Sequence, residues 1–325
     1  MALPPSRRLD FAEVPVIDLG PLLKDGPVKA KSTVDAIAKA CTEVGFMQVV
    51  NHGVSDAAIE RVIAESAPFF ALPLEERNEI AISNSPQFRG YLPLKYKGEQ
   101  TSGEIHQEAF IMFHDKPESA CPMDGPNLWP SSRPGFRKAF EDYFPLTEKL
   151  GMSMLPAFAL AMGKAPDFFT EMFRDPMMML KVNHYPPQAV VEHDKEIGVT
   201  AHSDSGAFTI LWQDDVGGLE IMNKSGEWVG VPPIKGAYVI NLGNMMQIWS
   251  NGRFSSTPHR VINRSGLDRY SVPTFVNPNY YTMIEPLVGT PAPDFVPYMS
   301  GDEQFDLYWR IYPQKTKRVR EPATV

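Results

Sequence analysis

His202-Ser203-Asp204 sets an imidazole and a carboxylate two residues apart, and His259 and Arg269-Tyr270-Ser271 follow downstream. Two imidazoles and one carboxylate are the ligand set of a facial triad, which holds a non-haem Fe(II) and leaves coordination positions open. On an extended segment, residues i and i+2 face the same side, so His202 and Asp204 can share one metal. The open positions suit the carboxylate and carbonyl oxygens of a chelating 2-oxoacid, and then dioxygen. One carboxylate against a divalent cation leaves the site net positive, which attracts such an anion. A lone His-x-Asp is common in surface loops and decides nothing by itself. His52, His106, His114, His184 and His193 offer no matching set, and His52 in its Asn-His-Gly turn reads as a loop tie. Zinc also takes two histidines and a carboxylate, but the HExxH helix of such hydrolases is absent from this sequence.

The Arg-x-Ser supplies a planar fork that grips carboxylate bidentately, with a hydroxyl beside it. Asn263 to Leu267 reads as a turn. Folded as a hairpin about Ser265, the chain would pair His259 with Ser271 and Val261 with Arg269. That register sets the guanidinium beyond the metal, where the distal carboxylate of a chelated five-carbon diacid would reach. Asn183 and Tyr185 alternate onto one face of a strand, where an amide and a phenol can hydrogen-bond the metal-proximal end. Fe(II), 2-oxoglutarate and O2 are therefore the expected cofactor and cosubstrates, with His202, Asp204 and His259 on the metal. Taken singly, each of these residues would read as an ordinary surface or sheet polar.

The positioning elements are legible from periodicity. Val14 to Leu19 reads as a strand. Lys29 to Val44 reads as a helix, with Val34, Ile37, Ala38 and Cys41 at helical spacing. Gly45 ends it, and Phe46 to Val50 is a second strand. Ser55 is a candidate cap for a helix carrying Ile59, Val62 and Ile63 towards Phe69 and Phe70. Residues 83–132 read as irregular, a length of loop that compact domains keep for function. Arg133 to Gly163 is helical in pattern, and Pro145 and Pro156 are expected to kink or interrupt it. Seven short strands follow at Met179–Tyr185, Ala207–Trp212, Leu219–Met222, Glu227–Val231, Tyr238–Leu242, His259–Ile262 and Tyr270–Val276, with turn signals between them. Their density predicts a β-sandwich or jelly roll, whose opposed strands would converge at one open end and bring His259 beside His202 and Asp204. A last helix is expected at Asp302–Ile311. The class is thus mainly β with flanking helices (α+β). The expectation is a single oxygenase unit over 1–325, with an N-terminal α/β region at 13–120, a core at 177–282 and a C-terminal helix at 300–313.

The chain has 325 residues, 43% hydrophobic and 22% charged, so it can bury a sizeable core. Its net charge of −8 argues against nucleic acid or an anionic membrane as partner. Two distant cysteines, Cys41 and Cys121, form neither a disulfide framework nor a thiolate metal site and fit a reducing cytoplasm. The start lacks a secretory pattern and no apolar run is long enough to span a bilayer, so a cytoplasmic location is expected.

Beyond these residues, the chain resembles the isopenicillin N synthase-like family of Fe(II)/2-oxoglutarate-dependent dioxygenases. The resemblance runs through Val14-Pro15-Val16-Ile17-Asp18-Leu19, Gly45-Phe46, Asn51-His52-Gly53-Val54, Leu72-Pro73-Leu74-Glu75-Glu76-Arg77 and Arg89-Gly90-Tyr91. It continues through Asn183-His184-Tyr185-Pro186-Pro187, His202-Ser203-Asp204, Gly217-Gly218-Leu219, Asn241-Leu242-Gly243, His259-Arg260-Val261 and Arg269-Tyr270-Ser271. It implies a distorted double-stranded β-helix, iron on His202, Asp204 and His259, and 2-oxoglutarate on Arg269, Ser271, Tyr185 and Asn183. Some members do not use 2-oxoglutarate yet carry Arg-x-Ser; the matching Asn183-x-Tyr185 favours the group that does. The implied reaction oxidises a small molecule by hydroxylation, desaturation or cyclisation, with release of succinate and CO2. An ethylene-forming or oxidative-cyclising enzyme acting on 2-oxoglutarate or another small acid is a second reading. A catalytically silent metal-binding protein is a third. Candidate substrate residues are Arg89, Tyr91, Phe208, Leu211, Phe275 and Tyr281. Arg89, Lys95 and Lys97 would suit an acidic group, pointing to an amino acid, another carboxylate or a natural product.

Overall fold

Side-chain alternation along one strand organises the molecule. In the computed structural model, which describes residues 10, 12–94, 106–187 and 198–312, strand Met177–Tyr185 sends Met178, Leu180 and Val182 into a helix-packed core. Met179, Lys181, Asn183 and Tyr185 face the opposite side, where they line cavities, as a period of two requires.

In chain order, β1 (Val16–Asp18), α1 (Gly20–Asp25), α2 (Lys31–Glu43) and β2 (Phe46–Val50) come first. They are followed by α3 (Asp56–Phe70), α4 (Leu74–Asn78), β3 (Gly90–Leu92), β4 (Glu108–Phe113) and the long α5 (Pro134–Ala161). The strands β5 (Met177–Tyr185), β6 (Val199–His202), β7 (Phe208–Gln213), β8 (Leu219–Met222), β9 (Trp228–Gly230) and β10 (Tyr238–Leu242) come next. Last are α6 (Asn244–Trp249), β11 (His259–Val261), β12 (Arg269–Asn277), β13 (Met283–Ile284), β14 (Tyr298–Met299) and α7 (Ser300–Ile311).

An eight-stranded sheet runs β1-β2-β10-β7-β12-β5-β4-β3, and a four-stranded sheet runs β6-β11-β8-β9. They face each other: Leu219, Ile221 and Val261 of the small sheet pack with Phe46, Tyr185 and Val239 of the large one. The result is the jelly roll, a distorted double-stranded β-helix. Helix α5 covers the other face of the large sheet, burying Phe136, Phe140, Leu150, Met154 and Phe158. Gly151 makes the close approach possible, since a Cβ there would stand 3.3 Å from Ile210 and Val276.

Two expectations are corrected. Residues 83–132 are not irregular throughout: they carry β3 and β4, which extend the sheet beyond β5. Both strands are buried along their whole length, so neither shows the alternation that marks a half-buried strand. The N-terminal elements join the same sheet, because β2 pairs directly with β10. Pro145 and Pro156 do not interrupt α5, which is one helix from Pro134 to Ala161. Both prolines lie off its fully buried stripe, so the carbonyls they leave without an amide partner do not face the core, and packing of the apolar face holds the helix. Among the described residues, no helix is long and apolar enough to cross a membrane.

Candidate active site

His202 ends β6, Asp204 lies just beyond it, and His259 begins β11, with His259 directly opposite His202 in the ladder. Donor atoms of the three lie within 4.8 Å of one another. Asp204 Oδ1 is 3.6 Å from His202 Nε2 and 3.7 Å from His259 Nε2. The other atoms of these groups are engaged elsewhere. Asp204 Oδ2 accepts from Thr209 Oγ1 at 2.6 Å and Asn241 Nδ2 at 2.7 Å. His202 Nδ1 faces the Thr200 carbonyl at 2.8 Å, and His259 Nδ1 faces that of Thr257 at 3.2 Å. A proton on each Nδ1 fixes the tautomer and aims both Nε2 lone pairs at one point, the support that metal-ligating histidines receive.

The three groups interact strongly with one another. Burial opposes the Asp204 charge, yet His202, His259 and the Thr209 hydroxyl hold its carboxyl well below the usual range. Burial and the neighbouring His202 push His259 down to about 4. Burial also works against the His202 cation, but contact with Asp204 and the Thr200 carbonyl raises that group. One oxygen and two nitrogens, convergent and otherwise satisfied, form a donor set that fits Fe(II).

Arg269 lies on β12 beside Tyr185 of β5, and Ser271 beside Asn183. The Arg269 side chain is fully buried, with its guanidinium carbon 4.7 Å from the centre of the Tyr185 ring. Nε donates to the Gly217 carbonyl and Nη2 to Gln213 Oε1 at 3.4 Å. Nη1 has no partner among the described residues. Asn183 Nδ2 donates to Ser271 Oγ at 3.2 Å, and Gln107 donates to the Asn183 side-chain oxygen. A cavity of about 120 Å³ joins Arg269, Ser271, Tyr185 and Asn183 to the triad.

The expected hairpin between His259 and Ser271 is corrected. β11 belongs to the small sheet and β12 to the large one, so His259 and Arg269 meet across the cavity rather than along a ladder. The turn between them is built on Asn263, whose side-chain oxygen accepts from Ser265 N and Oγ. It carries the chain from one sheet to the other.

A larger cavity of about 440 Å³ opens from the triad, lined by His202, Asp204, Phe208 and Phe275 together with Leu307 and Tyr308 of α7. Phe275 and Leu211 line the smaller cavity, while the Phe208 ring also packs on Phe158, with centroids 5.2 Å apart. The other three candidate substrate residues lie elsewhere. Arg89 is buried over the Phe113 ring and donates to the Gln87, Met123 and His114 carbonyls. Tyr91 is buried, its hydroxyl tied to Glu108 and Arg77. Tyr281 is 57% exposed and lines neither cavity. Lys95 and Lys97 fall outside the described residues. Sequence reasoning missed Thr209, Asn241 and Gln107. Asn241 had a usable signal, a lone amide inside an otherwise apolar strand.

Two family descriptions match the chain: the 2OG-Fe(II) oxygenase superfamily over residues 176–278, and the N-terminal region of non-haem dioxygenases in morphine synthesis over residues 14–132. A homoarginine-6-hydroxylase of Glycine max is 36% identical, covering 86% of this chain and 89% of its own. The chain belongs to the 2OG-Fe(II) oxygenase superfamily. A 2-oxoglutarate-dependent dioxygenase of Monascus ruber is 37% identical over 84% of this 2OG-Fe(II) oxygenase and 87% of its own length. The crystal structure of a full-length Neurospora crassa protein in complex with alpha-KG and thymine aligns with a TM-score of 0.80 at 26% identity, covering 90% of this oxygenase and 96% of that chain. This 2OG-Fe(II) oxygenase is thus an Fe(II)- and 2-oxoglutarate-dependent dioxygenase that oxidises a small molecule.

Proposed function

We propose that His202 Nε2, His259 Nε2 and Asp204 Oδ1 ligate Fe(II), and that Arg269 and Ser271 hold the distal carboxylate of 2-oxoglutarate. Asn183 and Tyr185 border the rest of the cosubstrate. The reaction is hydroxylation of a small molecule seated in the larger cavity. The observation that carries this reading is the buried Arg269, with an unpartnered Nη1 in the same cavity as the triad. The Asp214 charge lies near Arg269, but a buried donor left without an acceptor is unfavourable, and a carboxylate lying against the fork satisfies it.

Bound iron, with 2-oxoglutarate and dioxygen, supplies the oxidising power, and the oxoacid leaves as succinate and CO2. The chain supplies position. Thr209 and Asn241 hold Asp204 so that one oxygen faces the two imidazoles. Leu211, Leu219, Val261 and Pro273 keep the cosubstrate cavity apolar around its few polar groups, which strengthens the Arg269 attraction. His202 and Asp204 line both cavities, so a substrate in the larger one lies beside the metal. The name of the Glycine max relative, a homoarginine-6-hydroxylase, supports hydroxylation as the outcome. Pairing of β2 and β4 into the large sheet supports reading the chain as one oxygenase unit.

The test is spectroscopic. Anaerobic Fe(II) with 2-oxoglutarate should give a weak visible charge-transfer band in the wild-type protein and none in His202→Ala or Asp204→Ala. Iron demonstrably bound with no band on adding 2-oxoglutarate would sink the chelation reading. A screen for substrate-stimulated succinate release then identifies the substrate.

A further inference from the structure

Lys181 lies on β5 between Met179 and Asn183, and its side chain lines both the larger cavity and the smaller one. No residue assigned above to the metal or to 2-oxoglutarate binds it. Among the described residues it has no hydrogen-bond or ion-pair partner, and it is partly buried. Burial pushes its ammonium down to about 8, with the Asp204 charge acting in the opposite direction. Among the described residues lining the larger cavity, Lys181 is the one lysine or arginine, and Asp204 is the one carboxylate.

Position gives this ammonium a purpose. Arg269 has the Asp214 charge near it at the cosubstrate end, whereas the one carboxylate lining the larger cavity with Lys181 is Asp204. A divalent cation on the triad would occupy that carboxylate and leave the Lys181 ammonium without a counter-charge of its own in a low-dielectric pocket. Such a charge attracts one anion strongly. The rest of the larger cavity is mainly apolar, with Leu92, Met179, Phe208, Phe275 and Leu307 on its walls and the Gln107 and Gln304 amides as polar points.

We propose that Lys181 binds the carboxylate of the primary substrate, and that the substrate class is a monocarboxylic acid with an apolar body. The proposal rests on the hydroxylase reading and sharpens its substrate. The same ammonium chemistry would suit the metal-proximal carboxylate of 2-oxoglutarate, so the experiment separates the two sources.

The anaerobic Fe(II)·2-oxoglutarate holoenzyme is titrated calorimetrically with octanoate, cinnamate and N-acetylphenylalanine, each against its primary amide. Affinity for 2-oxoglutarate is measured separately on the iron-loaded protein. Wild type is expected to bind at least one acid on the order of tenfold or more tighter than its amide. Lys181→Met should abolish that preference while leaving amide affinity and 2-oxoglutarate affinity within about threefold. Lys181→Arg should keep the preference, and thermal unfolding checks that both variants are folded. The proposal is overturned if wild type prefers no acid over its amide, or if Lys181→Met weakens acid and amide equally. It is also overturned if Lys181→Met weakens 2-oxoglutarate as much as the acids, which would assign the lysine to the cosubstrate. Failure of the Fe(II)·2-oxoglutarate band in wild type would instead overturn the underlying hydroxylase reading.

Discussion

His259 is the direct cross-strand neighbour of His202, and their ring centroids stand 4.3 Å apart. Two residues far apart in sequence are thus held together by backbone pairing. Asp204 completes the set from the turn that follows β6, where its backbone carbonyl accepts from Asn244 N at 2.7 Å. The metal centre is built on pairing geometry rather than on a mobile loop.

The support beneath Asp204 should be measurable. Thr209→Val removes one of the two donors on Oδ2 while keeping the side-chain volume. Fe(II) affinity or turnover is expected to fall on the order of 10–100-fold, the usual effect of losing such a partner. Anaerobic iron titration of wild type and variant measures it, and an unchanged dissociation constant would show that Asn241 alone suffices.

Arg269 gives a separate signature. Arg269→Ala should leave Fe(II) binding intact and raise the 2-oxoglutarate requirement by on the order of a hundredfold, equivalent to about 3 kcal/mol for an unpaired buried charge. Arg269→Lys should recover only part, since an ammonium cannot reproduce the fork. Initial rates at varied 2-oxoglutarate, with iron saturating, check both.

Gly218 links the oxoacid anchor to the fold. Its φ is +93°, and a Cβ there would lie 2.4 Å from the Ile262 carbonyl oxygen. The adjacent Gly217 carbonyl accepts from Arg269 Nε. Gly218→Ala is expected to cost about 1–3 kcal/mol of stability through backbone strain and to raise the 2-oxoglutarate requirement as well. Chemical denaturation and cosubstrate titration on one preparation show whether the two losses travel together.

His184 predicts a pH dependence of stability. Its ring packs against both Tyr270 and Phe70, with centroids 4.8 and 5.2 Å away, and has Glu108 Oε1 at 2.8 Å and Asp268 Oδ1 at 2.7 Å. Arg77 and Tyr91 also contact Glu108. Burial opposes the imidazolium, but Glu108 and Asp268 outweigh it and raise the folded value above the ordinary one. The stabilisation is complete below the unfolded value near ~6.5, and it is lost as pH rises through the raised folded value. His184→Gln should therefore destabilise more at about pH 6 than at about pH 9. Urea midpoints of both proteins across that window test it, and a pH-independent gap would remove the imidazolium from the account.

The parts of the molecule that were legible share a physical reason. Strands β2, β8 and β10 match their expected spans because short apolar runs there are bounded by clear turn signals. The His202, Asp204 and His259 cluster was legible because three residue types suffice to name the chemistry. The relation between His259 and Arg269 was not. A turn signal says that the chain reverses, not which sheet it enters next, and Asn263 to Leu267 sends it across the sandwich. β3 and β4 were hidden by burial on both faces, and Arg89 and Tyr91 were misplaced with them. A buried Arg donating to three carbonyls looks, in sequence, like an Arg awaiting a ligand.

The inward row of β5 has a consequence for how the enzyme can fail. Met179, Lys181, Asn183 and Tyr185 stand at every second residue, so Lys181 to Tyr185 spans about 13 Å at about 3.3 Å per residue. One strand thereby acts as a ruler, with cosubstrate contacts at one end and the substrate cavity at the other. A slip of one residue would exchange this entire row for Met178, Leu180, Val182 and His184. β5 is paired on both sides, to β4 and to β12, which locks the graduation marks in place. Partial loosening of this sheet should abolish oxoacid binding and substrate binding together, so the two activities share one melting event.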